Sequence, residues 1–291
     1  MIVAVLALAG ALHLGWAGIY QFPPAEPFAG PHWYDPYDGV DCGALLRANF
    51  HSHSRLIPGV TWGEHPPERV RAHYRELGYD VYPLSNYQSV AEPGPDEEIP
   101  IHAYEHGYSL SLQHYTVIGR DRAHWLDFPL FQHRFATQYL IDTLSADADL
   151  LVVNHPQRRD AFPPDQMRRL TGIHGIEVRS RFAKGREHWD AALSAGRPVW
   201  GFCSDDQHDL DGSSPAGIGW VWVAAGARRG SAVTEALRSG AHYGVYSRRG
   251  PPPNRVVEAR FDGETWRVHL ERPADALRFV GQDGHLALPN A

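Results

Sequence analysis

Leu45-Leu46-Arg47-Ala48-Asn49-Phe50-His51-Ser52-His53 is a short, mostly apolar run that ends in two histidines. The arrangement recurs. Leu150-Leu151-Val152-Val153-Asn154 runs into His155-Pro156, and Val199 to Cys203 runs into Ser204-Asp205-Asp206-Gln207-His208. Four to six apolar residues bounded by polar ones read as buried strands. Between them lie helical stretches. Pro66-Pro67-Glu68 opens one, Val70, Tyr74 and Leu77 share its face, and Gly78 stops it, the usual proline-start and glycine-end asymmetry. Leu130 to Leu144 and Glu187 to Ala195 read as helices, as does a segment capped by Ser231 and ended by Gly240. Tyr79 to Leu84, Gly175 to Val178 and Ile218 to Ala224 read as further strands. This βαβα rhythm predicts an α/β fold built on a mainly parallel sheet or barrel. Ionisable clusters just past strand ends then fall on the rim where such folds place their chemistry.

The 291 residues carry 27 Lys+Arg against 34 Asp+Glu, a net charge of −7. An acidic balance makes nucleic acid a poor default partner, since a polyanion is drawn to a positive field. Eighteen histidines, several beside Asp, Asn or Glu, point to metal chemistry. Two cysteines, Cys42 and Cys203, are too few for a thiolate zinc site. Cys42 precedes the end of the first strand by eight residues, so the two thiols are expected to be far apart and free.

Residues 1–25 include no Lys or Arg, and Ile2 to Tyr20 is almost unbroken apolar sequence. A run near the roughly 20 residues needed to span a bilayer predicts a signal peptide or N-terminal anchor over residues 1–22. A buried first helix is the alternative. Residues 23–44, rich in Pro and aromatic residues, read as a linker or surface arm. From about residue 251 the rhythm changes to Arg255–Phe261, Thr265–Leu270 and Ala276–Val280 with Asp262-Gly263 and Asp283-Gly284 turns. That is antiparallel β sequence with strong hairpin dipeptides. Residues 251–291 are too few to stand alone and should pack as a small appendage.

His51 and His53 point to one side of an extended segment and can hold one cation. Tyr104-Glu105-His106, Gln113-His114, His155 and Asp206 extend the set. The order His-x-His, Glu, His before an apolar run, His-Pro and Asp-x-His resembles the PHP (polymerase and histidinol phosphatase) superfamily over residues 48 to about 250. Leu237 to Tyr243 also resembles the segment that closes many of its barrels. The resemblance implies a distorted seven-stranded (β/α)7 TIM-like barrel over residues 45–250 and a metal-dependent phosphoesterase. It further implies that His51, His53, Glu105 and Asp206 hold one divalent metal, and that a bridging Glu105 with His114 and His155 holds a second. Such a nitrogen and carboxylate donor set suits zinc, manganese or iron. Two ions held this way acidify a water and neutralise phosphate oxygens.

One departure is visible. Where the family has Thr-Asp-His, this chain has Ser85-Asn86-Tyr87, which removes a histidine of a third metal site and leaves His208 with few expected partners. Tyr87 and His208 are therefore candidate catalytic groups, Tyr87 as a proton donor. Arg158 and Arg159 are candidate phosphate ligands, or else a solvated loop pair. Glu177 either lines the site or pairs with Arg179. His106, next to Glu105 on a strand, should face the opposite side. His65 reads as an exposed helix-start residue. Trp62, Tyr104, Tyr108 and Tyr115 read as pocket walls or as ordinary packing. The expected substrate is a small or glycan-linked phosphoester outside the cytoplasm, with attachment to the membrane through the N-terminus. Two other readings stay open: a metal-stabilised binding protein without turnover, and a two-metal hydrolase of C–N or ester bonds.

Overall fold

The computed structural model describes residues 10–11, 15, 17–27, 34–40, 44–56, 61–212, 215–247 and 254–287. Most of the expected leader, as well as Cys42, lies outside the described residues. The architecture is mixed α/β. Strands β2 (Ala103–His106), β3 (Tyr115–Ile118), β4 (Leu150–Val153), β5 (Gly175–Arg179) and β6 (Trp200–Cys203) form a five-stranded sheet in chain order. The first two pairings are antiparallel and the last two parallel. β1 (Leu46–Ala48), β7 (Gly219–Val223) and β8 (His242–Tyr246) form an antiparallel sheet in the order β1-β7-β8.

β4 shows why the larger sheet reads as an unbroken apolar run. Leu150 and Val152 face one core shared with Leu46 and Ala48 of β1 and with Val221 and Val223 of β7. Leu151 and Val153, one residue out of phase, face a second core. The second core carries Ile141 and Leu144 of α2 (Arg134–Ser145), Met167 of α3 (Pro164–Met167) and Ala192 of α4 (Arg186–Ser194). Both faces of the strand are buried, so period-two alternation gives no polar positions. α1 (Pro67–Glu76) starts and stops as the sequence predicts, with Gly78 at φ +74°. α5 (Gly230–Ser239) ends at left-handed Gly240, but Ser231 lies inside it and Arg229 occupies the cap position without a side-chain bond.

Strand pairing does not close into the expected barrel among the described residues. Only eight residues separate β2 from β3, and a parallel partner would need a crossover of a dozen or more, so this pair runs antiparallel. The stretch 79–87, expected as a strand over Tyr79–Leu84, makes only isolated parallel bridges, Val81 to Ala48 and Tyr87 to Glu105. Pro83 within it has no N–H to give a ladder. These bridges still tie β1 to β2 and bring the ends of both sheets to one edge. β6 and β8 approach without a ladder; a Cβ on Gly244 would lie 2.6 Å from Cys203 Sγ. Cys203 is a free thiol, pushed up to about 12 by burial.

β9 (Val256–Phe261) pairs with β10 (Trp266–Leu270), and β11 (Phe279–Val280) with β12 (Leu286–Ala287), as two antiparallel hairpins. The junction of the expected leader and arm is docked. Phe22 stacks on Phe135, and the largely buried Arg197 guanidinium donates to the Pro23 and Pro24 carbonyls at 2.7 and 3.1 Å. Among the described residues no helix is long and apolar enough to cross a membrane.

His242, buried against Phe202, has its imidazole pushed down to about 4 by desolvation. Its unfolded counterpart protonates near 6.5, so the folded state forgoes a proton that the unfolded chain binds between these values. The contribution is present above pH 6.5 and is lost as pH falls toward 4. Thermal unfolding of His242→Gln should therefore show a flatter fall in Tm across that window than the unsubstituted chain; an equal slope contradicts the assignment.

Candidate metal centre

β2 and β4 both run antiparallel to β3, so they share a direction, and β5 and β6 run parallel to β4. The carboxyl ends of these strands therefore meet at one edge. Glu105 lies near the end of β2, His114 immediately before antiparallel β3, His155 after β4, and Asp206 and His208 after β6. His51 and His53 follow β1, whose extension bridges the β6 loop through Ser52 and Gln207. All six predicted metal ligands converge on that edge and are buried.

Glu105 is the centre, with no solvent-exposed surface. Its Oε1 lies 3.3 Å from His51 Nε2, 3.1 Å from His114 Nδ1 and 3.3 Å from His155 Nε2, and accepts from Asn154 Nδ2 at 2.9 Å. Its Oε2 lies 3.3 Å from His53 Nε2. Asp206 Oδ1 is 3.2 Å from His51 Nε2 and 3.6 Å from His53 Nε2. Burial opposes the charge on Glu105, yet the surrounding histidines, His51 foremost, hold its carboxyl well below the usual range. Burial likewise opposes the charge on Asp206, and His51 with His208 hold it low.

The donor set fits divalent cations. Ligand atoms of His51, His53 and Glu105, of His51, His155 and Asp206, and of Glu105, His114 and His155 each lie within 4.8 Å of one another. His51 Nε2, His53 Nε2 and Glu105 Oε2 are buried without a well-formed hydrogen bond. Buried polar atoms in that state need an explanation, and a cation between them supplies one. Imidazole with carboxylate selects borderline divalent ions over magnesium or calcium.

Two of these ligands sit on strained backbone. His155 has φ +26° and Asp206 φ +49°, a region non-glycine residues rarely occupy, at a cost of order 1–3 kcal/mol each. Neighbouring bonds hold them there. His155 N–H donates to Glu177 Oε2 at 2.8 Å. Asp205 accepts from the N–H groups of Gly217, Ile218 and Gly219 and from Tyr74 Oη.

Glu177 does not pair with Arg179, whose guanidinium lies over Tyr246. Its Oε1 lies 3.0 Å from His51 Nδ1 and accepts from the Ser204 hydroxyl. A carboxylate behind a ligating imidazole fixes the ring and its tautomer. Asn154 and Asp205, adjacent to predicted ligands in the sequence, also support the centre; their only sequence signal is that adjacency.

His208 is better partnered than the sequence suggests. Its Nδ1 lies 3.0 Å from the Asp206 carbonyl and 3.5 Å from Asp206 Oδ1, and its Nε2 lies 2.9 Å from Tyr87 Oη. Burial pushes it down to about 4, so the ring is neutral near pH 7. The carbonyl places its single proton on Nδ1, and Nε2 accepts from the Tyr87 hydroxyl. Ligand atoms of His53, Asp206 and His208 also cluster. Burial raises the Tyr87 phenol well above its ordinary value.

Arg158 reaches the mouth of the centre, its guanidinium 5.1 Å from the Phe182 ring and 5.7 Å from that of Trp62, both of which edge onto His208. Arg159 does not: it donates to the Leu110 carbonyl at 2.9 Å. His65 is buried rather than exposed, 3.3 Å from Asp209 Oδ1, and belongs to none of the ligand groups. His106 faces away, toward the His124 carbonyl. Tyr104 and Tyr115 are core residues.

No protein-family model and no curated protein matches the chain. Among solved structures it is similar to a two-domain protein from Bacteroides vulgatus that contains a predicted PHP-like metal-dependent phosphoesterase. The two are 17% identical with a TM-score of 0.47, over 79% of this chain and 70% of that one.

Glu105 is expected to serve both ions, whereas His114 and His155 are each expected to serve one. Metal content measured by elemental mass spectrometry should fall further in Glu105→Gln than in His114→Ala or His155→Ala; undiminished metal in Glu105→Gln contradicts the bridging role. Glu177→Gln should weaken metal affinity about 10–100-fold while leaving the fold intact.

Proposed function

We propose that the chain is a metal-dependent phosphoesterase acting on a small or glycan-linked phosphoester, exported or anchored outside the cytoplasm, with about two divalent ions bridged by Glu105. The observation that carries this reading is the convergence of four imidazoles and Asp206 on a fully buried Glu105, beside a cation and a phenol at the mouth. The PHP resemblance of the ordered ligands points the same way. His51, His53, Glu105 and Asp206 would hold one ion, and Glu105, His114 and His155 the other. When bound, the pair supplies Lewis acidity to a water and to the phosphate oxygens.

The chain's own residues do the rest. Arg158, for which no carboxylate partner is seen among the described residues, binds a phosphate oxygen through charge-assisted hydrogen bonds. Trp62 and Phe182 hold its guanidinium toward His208. The Tyr87 hydroxyl, kept protonated by burial, passes its proton to the leaving oxygen, and His208 Nε2 orients it beforehand. The phenolate recovers a proton from the water consumed in hydrolysis. Tyr87 thus serves as the acid where the family pattern has a ligand.

The test is metal analysis of chelator-free protein coupled to a panel of phosphomonoesters and phosphodiesters. Tyr87→Phe should lower kcat with metal content unchanged. Arg158→Ala should lower kcat/KM about 10–100-fold, the equivalent of one charged hydrogen bond of roughly 1.5–3 kcal/mol. Metal-loaded protein inert on every phosphoester would overturn the reading, and three tightly bound ions per chain would overturn the two-ion assignment.

A further inference from the structure

Two loops beside the metal centre expose five large apolar or aromatic side chains. Tyr108 and Leu110 lie between β2 and β3, and Trp125, Leu130 and Phe131 between β3 and α2. Each is between 45% and 68% exposed. The exposure is built in. Leu110 N–H donates to the Pro129 carbonyl at 2.9 Å, Tyr108 N–H to Asp127 Oδ2 at 2.8 Å, and Tyr108 Oη to the Trp125 carbonyl at 2.9 Å. The loops therefore pin each other with their apolar side chains outward, an arrangement a free monomer rarely keeps without use.

Two further observations say what covers the patch. First, one residue of the uncharged apolar run Ile2–Tyr20 is packed on the body close to these loops. Ala17, inside that run, is buried against Phe128, Ala136 and Leu140, and Phe128 is two residues from Leu130. Second, the residue types match a bilayer interface, where Trp and Tyr collect. Two cations lie at its margin, exposed Arg134, which opens α2, and exposed Arg159, fixed on the Leu110 carbonyl, with exposed Asp160 and Asp121 also on the neighbouring loops. The patch's own carboxylate, Asp127, is buried and spent on Tyr108 N–H, Phe128 N–H and Gln132 Nε2. The net charge of −7 gives no long-range attraction to an anionic surface, so the contact is apolar with local help from two arginines.

We propose that Tyr108, Leu110, Trp125, Leu130 and Phe131 form a lipid-contact surface, seated in the headgroup layer of the bilayer to which the apolar sequence preceding Ala17 would attach the chain. This contact would fix the β2–β3 turn, and with it the mouth of the metal centre, against the membrane face. The inference rests on the membrane attachment proposed above but not on the reaction, because its readout is lipid contact and not turnover.

Full-length protein carrying Leu130→Cys, Trp125→Cys or, as a control in the β9–β10 turn, Glu264→Cys is labelled with a polarity-sensitive fluorophore. The unsubstituted chain, with Cys42 and Cys203 only, sets the baseline. Each is reconstituted into vesicles of phosphatidylcholine and phosphatidylglycerol doped with doxyl-labelled lipid. Labels at 130 and 125 should lose several times more fluorescence than the label at 264, with blue-shifted emission. Adding Leu110→Asp and Phe131→Asp should abolish that loss. Quenching at 130 and 125 no greater than at 264 overturns the proposal and leaves residues 1–16 or a second copy of the chain as the cover.

Discussion

A carboxylate with no solvent exposure is the constraint on which the structure depends. An isolated charge in a protein interior costs several kcal/mol even after relaxation, so Glu105 can exist there only if the chain gathers compensating groups around it. The fold is arranged to do so. The short β2–β3 turn returns His114 to 3.1 Å from Glu105 Oε1, and the common direction of β2, β4, β5 and β6 delivers Asn154, His155, Glu177 and Asp206 to the same edge. A different register on any of these strands would turn its ligand to the other face.

Compensation by imidazoles alone is incomplete, because neutral rings cannot each point a proton at the same two oxygens and mutual repulsion limits how many can be charged. Burial works against charge on His51 and His53, while Asp206 and Glu105 raise both. Acids held low beside bases held high form a site balanced between protons and cations. Divalent ions held by His51, His53, Glu105, His114, His155 and Asp206 would resolve the conflict by taking the protons' place. The outer residues make sense on that basis. Glu177 fixes the His51 ring from behind while holding the His155 backbone, and Asp205 holds the turn that aims Asp206 inward.

How legible this was in the sequence depended on how local the signal is. His51, His53, Glu105, His114, His155 and Asp206 stand at strand ends, where an apolar run and its polar stop occupy adjacent residues, so both strand and ligand could be read together. Sheet closure was not legible. The rhythm of runs looks alike for parallel and antiparallel neighbours when both faces are buried, and only the eight-residue spacing of β2 and β3 held a clue. Glu177 was ambiguous because its partner His51 lies 126 residues away. His65 was misjudged for a similar reason: a proline-marked helix start says nothing of Asp209 arriving from a distant loop. Arg158 and Arg159 are alike in sequence, yet the left-handed turn at Arg159, φ +53°, sends one to the mouth and the other to the Leu110 carbonyl.

The departure at Ser85-Asn86-Tyr87 is where geometry adds most to the reading. Asn86 is not a vacated ligand. Its Oδ1 accepts from Ser54 N–H at 2.8 Å and its Nδ2 donates to Ser54 Oγ at 2.9 Å, so it anchors the residue next to His53. Tyr87 stacks on the His53 ring with centroids 4.4 Å apart, and His208 stacks on it at the same spacing. The Tyr87 and His208 rings lie 6.1 Å apart, so they sit side by side against His53 rather than on its opposite faces, and the hydrogen bond from Tyr87 to His208 ties them together. Rings stacked at this distance gain packing energy only while the orientation is kept, which aims His53 Nε2 at Glu105 and Asp206. A tyrosine at this position therefore acts through shape: its ring orients the His53 imidazole, and its hydroxyl is presented to His208 Nε2.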